Sequence, residues 1–449
     1  MRKPSSMNLT EGSIISSIWR LSLPIMIGNI LQNLFSIVDM IFVGKLGPSA
    51  VAAVGMSGVI LGMLYVVIFG IYTGNIALVS RFFGANQKEE AEHVAVQSLY
   101  LGVFFYAIVA LIGYPSAKPL LELLGASDAV VDHGVSYIRA MFLGSFTMIL
   151  SIIMASMFRA AGDARTPLIA LVISTLINIG LDPLLIFGIW VFPDLGVAGS
   201  AWATVIARGL GVLLYLYFFF TKETIIDLRF DGEKPNLSTM GRIMKIGVFS
   251  SLQGILRNLS GLVLTRVVAI YGTFAIAAYV VVMRLQFVVL MVGFGLGTAV
   301  STLVGQNLGA DKPDRAARTA WIITGIGAAI MVFMGIVYII FARSIIPIFN
   351  DHPEVLRIGT VYLRIAAVAF GFIALAIILG RALNGAGDTL SPMIMTAIGL
   401  LAFRIGLSLL LAQRYELMGI WLGIAISSII QGLMTAGWFS IGRWKHKKV

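Results

Sequence analysis

The chain contains no cysteine, which excludes disulfides, iron–sulfur clusters, thiolate zinc sites and cysteine nucleophiles. Histidine is nearly as scarce. His93, His133, His352 and His446 fall in or near predicted loops with no ligand spacing between them, so no metal centre is expected. No GxxxxGK[ST] run is present and no large soluble region could house one, so ATP is excluded as a fuel. Charge is also in short supply: Asp, Glu, Lys and Arg make up 12% of 449 residues, against about 25% in soluble domains. A surface of that composition could not be wetted.

What the chain has in excess is apolar. Hydrophobic residues reach 59% and mean hydropathy is +0.96, so most side chains must face one another or lipid. Twelve apolar stretches long enough to span follow one another at about 15–43, 50–81, 93–114, 134–158, 167–190, 196–220, 243–270, 275–305, 318–341, 359–382, 392–412 and 418–440. The expected fold is an all-α polytopic membrane protein with twelve transmembrane helices in two six-helix lobes related by pseudo-two-fold symmetry. The short polar arm at 1–14 lacks the apolar core and cleavage site of a secretory signal. The net charge of +11 reads as topology rather than nucleic-acid affinity. Placing both termini in the cytoplasm collects Lys88, Arg159, Arg165, Arg242, Lys245 and the basic tail on the inner side, and leaves chiefly Lys45, Lys118, Arg343, Arg357 and Arg414 outside.

The longest polar linker divides the chain into a first lobe at 15–220, a cytoplasmic linker at 221–242, a second lobe at 243–440 and a basic cytoplasmic tail at 441–449. An internal duplication supports this division. VSRFFGANQKEEA from Val79 answers VGQNLGADKPDRA from Val304, and AAGDARTP from Ala160 answers GAGDTLSP from Gly385, both 225 residues apart. The same displacement matches Leu31 with Leu256, Asn33 with Asn258 and Gly47 with Gly272. At the last helix a two-residue slip sets GVAGSAWAT from Gly196 against GIWLGIAIS from Gly419. Six spans per copy is an even number, so both copies enter the membrane in the same sense, an arrangement suited to alternating access. Gly293, Gly295 and Gly297 sit in a membrane helix without a preceding strand and are read as close helix packing, not a dinucleotide fingerprint.

Ionisable groups inside spans mark function by default, because an unpaired charge in hydrocarbon costs about 2.5 kcal/mol or more. Two are acidic, Asp39 and Asp182. Gln32, Ser36 and Asp39 lie at i, i+4 and i+7, with Asn29 and Asn33 beside them, so the first helix carries one polar stripe. Asn178 and Asp182 share a face of the fifth helix, and Pro183 just beyond frees backbone carbonyls. With about 1.5 Å of rise per residue, Asp39, Asp182 and Thr204 of the sixth helix all fall in the outer half of the membrane. Asp39, Asn178, Asp182 and Thr204 therefore form a candidate oxygen-rich site for a proton, or alternatively sodium. Each acid also has a plainer reading: Asp39 as an interfacial carboxylate near a helix end, Asp182 as the neighbour of a proline bend.

The second copy inverts this chemistry. Asp39, Asn178 and Asp182 become Leu264, Phe403 and Leu407, while Gln32 becomes Arg257. Arg257, Arg266, Arg284 and Arg404 lie in or near its spans, where they contact substrate, pair with loop acids or snorkel to the surface. Asn29, Gln32, Asn33, Ser36, Arg257 and Arg284 are the candidate substrate-cavity residues.

The stretches LPIMIGNILQNLFSIVDMIFVGKLG, VGQNLGA and RALNGAGDT resemble the multidrug and toxic compound extrusion (MATE) family, of bacterial or archaeal type, over essentially the whole chain. The match of Asp39, Asn178, Asp182 and Thr204 is closest to its DinF-like branch. The resemblance implies a secondary active antiporter, not an enzyme, that exports drugs and organic cations against an inward flow of protons or sodium and needs no cofactor. It implies a multi-pass protein of the cell membrane, expected to act as a monomer with lipid and small molecules as its partners and no nucleic acid. The NorM-like branch also uses second-lobe carboxylates inside its spans, which this chain lacks. The alternative is a flippase for lipid-linked saccharide of the same superfamily, whose cavity arginines would bind pyrophosphate. Such flippases commonly carry further spans, and an acidic cluster suits a cation better. An ion channel is disfavoured because the acidic site is confined to one repeat.

Overall fold

The computed structural model describes residues 9–221 and 232–447, and every regular element among them is helical. The remaining parts of the expected N-terminal arm, linker and tail, residues 1–8, 222–231 and 448–449, lie outside the described residues. The helices are α1 (Ile14–Gly44), α2 (Pro48–Gly84), α3 (Lys88–Ile108), α4 (Tyr114–Leu123), α5 (Asp128–Ala160), α6 (Arg165–Phe187), α7 (Val197–Phe220) and α8 (Leu237–Ala269). They continue with α9 (Thr273–Gly309), α10 (Pro313–Ile345), α11 (Pro353–Val368), α12 (Phe370–Ala374), α13 (Gly380–Gly385), α14 (Leu390–Ala397) and α15 (Gly406–Ile441).

Among the described residues nine helices are long and apolar enough to cross a membrane, and ten when the bent pair Pro353–Val368 and Phe370–Gly385 counts as one. Two features reconcile this with twelve expected stretches. The run Leu390–Ile441 holds two of them, separated by a break at Glu416, where φ is 50° and ψ is −132°. The remaining stretch is α8, which is diluted by Arg242, Lys245, Gln253, Arg257 and Asn258.

The described residues form two compact units, one from 23–221 and 232–247 and one from Leu9–Ser22 together with 248–447. In the first unit α5 is the central helix: 72% of its most apolar window is buried, and it packs against α2 and α7. Small residues allow the closest approach. A Cβ on Gly199 of α7 would stand only 2.3 Å from the Leu185 carbonyl oxygen of α6, so these two helices meet backbone to backbone. In the second unit α9 packs against α10, α11 and α13, and Gly297 lies against the Arg381 side chain, as close packing of that glycine run requires. Val332, Phe333, Ile336 and Ile340 form an exposed apolar band on α10 of the kind that faces lipid.

The duplicated motifs are turns. Left-handed backbone at Asn86 and Gly162 recurs 225 residues later at Asp311 and Gly387. Asp163 then accepts from the amides of Arg165 (2.9 Å) and Thr166 (3.1 Å) and closes the start of α6. The last helix of each unit corrects the expected alignment. The φ/ψ pair of Gly196, 54° and −132°, recurs at Glu416, and the Gly199 approach to Leu185 recurs as Gly419 against the Leu411 carbonyl. Both relations have a displacement of 220, so the two-residue slip that set Gly196 against Gly419 is three residues out of register.

Candidate functional site

Three helices of the first unit carry parallel polar stripes. On α1 the stripe is Gln32, Ser36 and Asp39; on α6 it is Ser174, Asn178 and Asp182; on α7 it is Ser200, Thr204 and Arg208. Residues four apart on a helix share a face and differ by about 6 Å in height, so each stripe spans two levels. Gln32, Ser36, Ser174 and Arg208 line a cavity of about 490 Å³, together with Asn29, Tyr65 and Tyr72. Further along α1 and α6 lie the carboxylates, Asp39 one turn beyond Ser36 and Asp182 two turns beyond Ser174.

There, the Ser200 hydroxyl donates a short hydrogen bond to Asp39. The Asn178 amide donates to Asp182 Oδ1 at 3.3 Å and to the Thr204 hydroxyl at 3.4 Å. Asp182 and Asn178 are fully buried, and Asp182 Oδ2 and Asn178 Oδ1 have no hydrogen-bond partner among the described residues. The two acids lie within electrostatic reach of each other, and Asp39 also within reach of Arg208. The structure thus joins Asn178, Asp182 and Thr204 directly and brings Asp39 alongside through Ser200. Unsatisfied oxygens beside two carboxylates in an apolar surround would be relieved by a proton or a small cation.

Of the cavity candidates, Asn29, Gln32 and Ser36 line the first-unit cavity, whereas Asn33 instead donates to the Asn29 carbonyl at 2.9 Å. Arg257 lines a cavity of about 240 Å³ in the second unit. Arg284 is exposed and lines neither cavity, its α9 position turning it away from both. Sequence reasoning missed Ser200 and Arg208. Arg208 carried the available signal, an intramembrane cation one turn from Thr204; Ser200 carried none beyond its i−4 spacing from Thr204.

An all-helical, multi-pass membrane protein with a polar cavity inside each of two duplicated units has the architecture of a secondary transporter. The family model described as MatE matches residues 24–184 and 250–410, once in each half, and the chain belongs to that family. It is a membrane transporter and not an enzyme. The probable multidrug resistance protein NorM of Thermotoga maritima is 27% identical, over 96% of this chain and 93% of its own length. The multidrug export protein MepA of Staphylococcus aureus is 30% identical, over 79% and 78%. A MOP superfamily transporter from Pyrococcus furiosus shares the fold with a TM-score of 0.91 at 24% identity, covering 100% of both chains. The Vibrio cholerae MATE transporter VcmN shares it with a TM-score of 0.89 at 23% identity, over 97% and 99%.

Proposed function

We propose that the chain is a multidrug efflux antiporter that exports organic, often cationic, compounds in exchange for protons entering through Asp39, Asn178, Asp182 and Thr204. The observation that carries this reading is the buried pair of unsatisfied oxygens, Asn178 Oδ1 and Asp182 Oδ2, one and two turns beyond Ser174 of a 490 Å³ cavity. Two neighbouring carboxylates in a poorly solvated place repel, and a proton removes that repulsion. A cationic drug does the same from the cavity side. Drug and proton therefore compete for the same negative charge, which is sufficient for antiport under alternating access. The lobes that alternate are 15–220 and 243–440, with both termini cytoplasmic, and the coupling residues align the chain with the DinF-like branch.

Sodium is the second reading, favoured by the same hard oxygen donors when both carboxylates stay ionised. Transport of a fluorescent organic cation in proteoliposomes separates the two. A pH gradient without sodium drives accumulation if protons couple; movement driven only by a sodium gradient at matched pH assigns sodium instead. Asp39→Asn abolishes either response without loss of folded protein, because an amide keeps size and hydrogen bonding but not the charge.

A further inference from the structure

We propose that the second-unit cavity is a binding site for an aromatic acid, with the anion held by Arg257 and Arg404 and the ring laid against Tyr279 and Tyr362. The proposal goes beyond cation efflux and does not depend on which ion is coupled. All four residues line the cavity of about 240 Å³. Arg404 donates to the Ser427 hydroxyl at 3.3 Å and to the Ser428 hydroxyl at 3.0 Å, so it is held in place by neutral groups alone. Arg257 has neither an ion pair nor a hydrogen bond to any described residue. It lies within electrostatic reach of Arg404 and also lines a small adjoining space with Gln253 and Gln431.

The acids of this unit are Glu11, Asp311, Asp314, Asp351, Glu354, Asp388 and Glu416, and none lines either space. Asp314 and Asp388 are already engaged by Lys445 and Lys447. Two like charges thus share a cavity inside the membrane-spanning part with no acid among the described residues lining it, an arrangement that an anion relieves. Guanidinium forks suit a carboxylate or phosphate oxygen pair.

The cavity wall selects the rest of the ligand. Tyr279, Tyr362 and Trp421 form a stack, with the Tyr362 and Trp421 rings 4.0 Å apart and Tyr279 5.9 Å from each. The stack is buried and fixed, so it offers a preformed aromatic face. Two π-helical stretches, Leu375–Leu379 and Ile398–Ile405, contribute Ala376, Ile377, Leu400 and Arg404 to the lining. Such irregular helix turns re-aim side chains and concentrate at functional sites. The volume lies below the range of about 300–1,000 Å³ typical of whole drug-sized ligands. It suits a one- or two-ring acid, or the acidic end of a larger zwitterion.

A phospholipid headgroup presents the same anionic chemistry, and the test separates the two sources. The full-length protein in phosphatidylcholine nanodiscs is titrated by calorimetry with 2-naphthoate and with its neutral analogue 2-naphthylmethanol. Naphthoate is expected to bind about tenfold or more tightly than the alcohol. Arg257→Gln is expected to remove that preference, Arg257→Lys to restore part of it, and Arg284→Gln, which changes net charge equally, to leave it within about twofold. Arg257 decides the outcome even if Arg404→Gln fails to fold, because Arg257 holds no hydrogen-bond or ion-pair partner among the described residues. Equal binding of acid and alcohol, or unchanged naphthoate affinity in Arg257→Gln, overturns the proposal. So does loss of naphthoate binding when phosphatidylglycerol replaces part of the phosphatidylcholine, which makes the arginines a headgroup site.

Discussion

In the first unit a cavity leads along α1, α6 and α7 to two carboxylates; in the second, the same repeat positions enclose two guanidinium groups. Gln32 and Arg257, Ser36 and Gly261, Met148 and Ile373, and Ile152 and Ile377 line the two cavities at one displacement of 225 residues. The scaffold was kept and the charged residues were redistributed: Arg159 and Arg208 line the first-unit cavity with Asp39 and Asp182 beyond it, whereas Arg257 and Arg404 line the second and no acid does. At the sequence displacement of 225 Asp39 corresponds to Leu264 and Asp182 to Leu407, and the packing match of Leu185 with Leu411 past the π-helical stretch sets Asp182 against Ser408; neither is acidic, while the second unit gains arginines on α8 and on that π-helical stretch. A duplicated helical unit therefore fixes where a cavity forms, through close helix approach and turn geometry, and leaves a few lining residues to decide which ion or ligand the cavity prefers.

The largest effect expected from breaking this contrast comes from Asp182→Asn. Gradient-driven export should fall by about tenfold or more while membrane yield and thermal stability hold, since the amide retains the acceptor used by Asn178. Leu407→Ile and Phe403→Leu at the corresponding positions should leave export within about twofold. Equal losses in both sets would make the asymmetry incidental. Ser200→Ala should give an intermediate loss, several-fold in export, because it removes the hydroxyl that orders Asp39, and Ser200→Thr should restore most of it.

Gly199→Ala and Gly419→Ala sharpen the comparison from the other side. A Cβ would stand 2.3 Å from the Leu185 carbonyl oxygen in one unit and 2.2 Å from that of Leu411 in the other. Each should lower stability by about 1–3 kcal/mol, read as similar drops in melting temperature. Only Gly199→Ala should also impair coupling, since it spreads the helices that carry Asn178, Asp182, Ser200 and Thr204. The smallest effect is expected for Asp163→Ala, about 1 kcal/mol of stability with unchanged coupling, because that motif caps α6 and touches no cavity.

Much of the first-unit site was legible in the sequence because helical periodicity puts polar residues on one face whatever the neighbouring helices do. Gln32, Ser36 and Asp39 needed only a spacing of 3.6, and Asn178 with Asp182 likewise. Which helices would meet could not be read that way. Ser200 of α7 holds Asp39 of α1 across 161 residues of chain, while its neighbour Gly199 packs on α6, and a glycine–serine pair in an apolar helix looks the same whether it packs or functions. Arg208 was overlooked although the rule for intramembrane charge applied to it. The π-helical stretches that place Arg404 leave no composition signal, and the register of the last helix was lost because a backbone turn at Gly196 is made again by Glu416, a residue of different type.

The most direct test of the account is the number of protons released when an organic cation binds. Tetraphenylphosphonium added to the purified full-length protein in weak buffer, with a pH-sensitive dye, is predicted to displace protons from the wild type. It should displace none from Asp182→Asn or Asp39→Asn, and an unchanged number from Arg257→Gln. Proton release that persists undiminished in both carboxylate variants would contradict the assignment of coupling to the first unit.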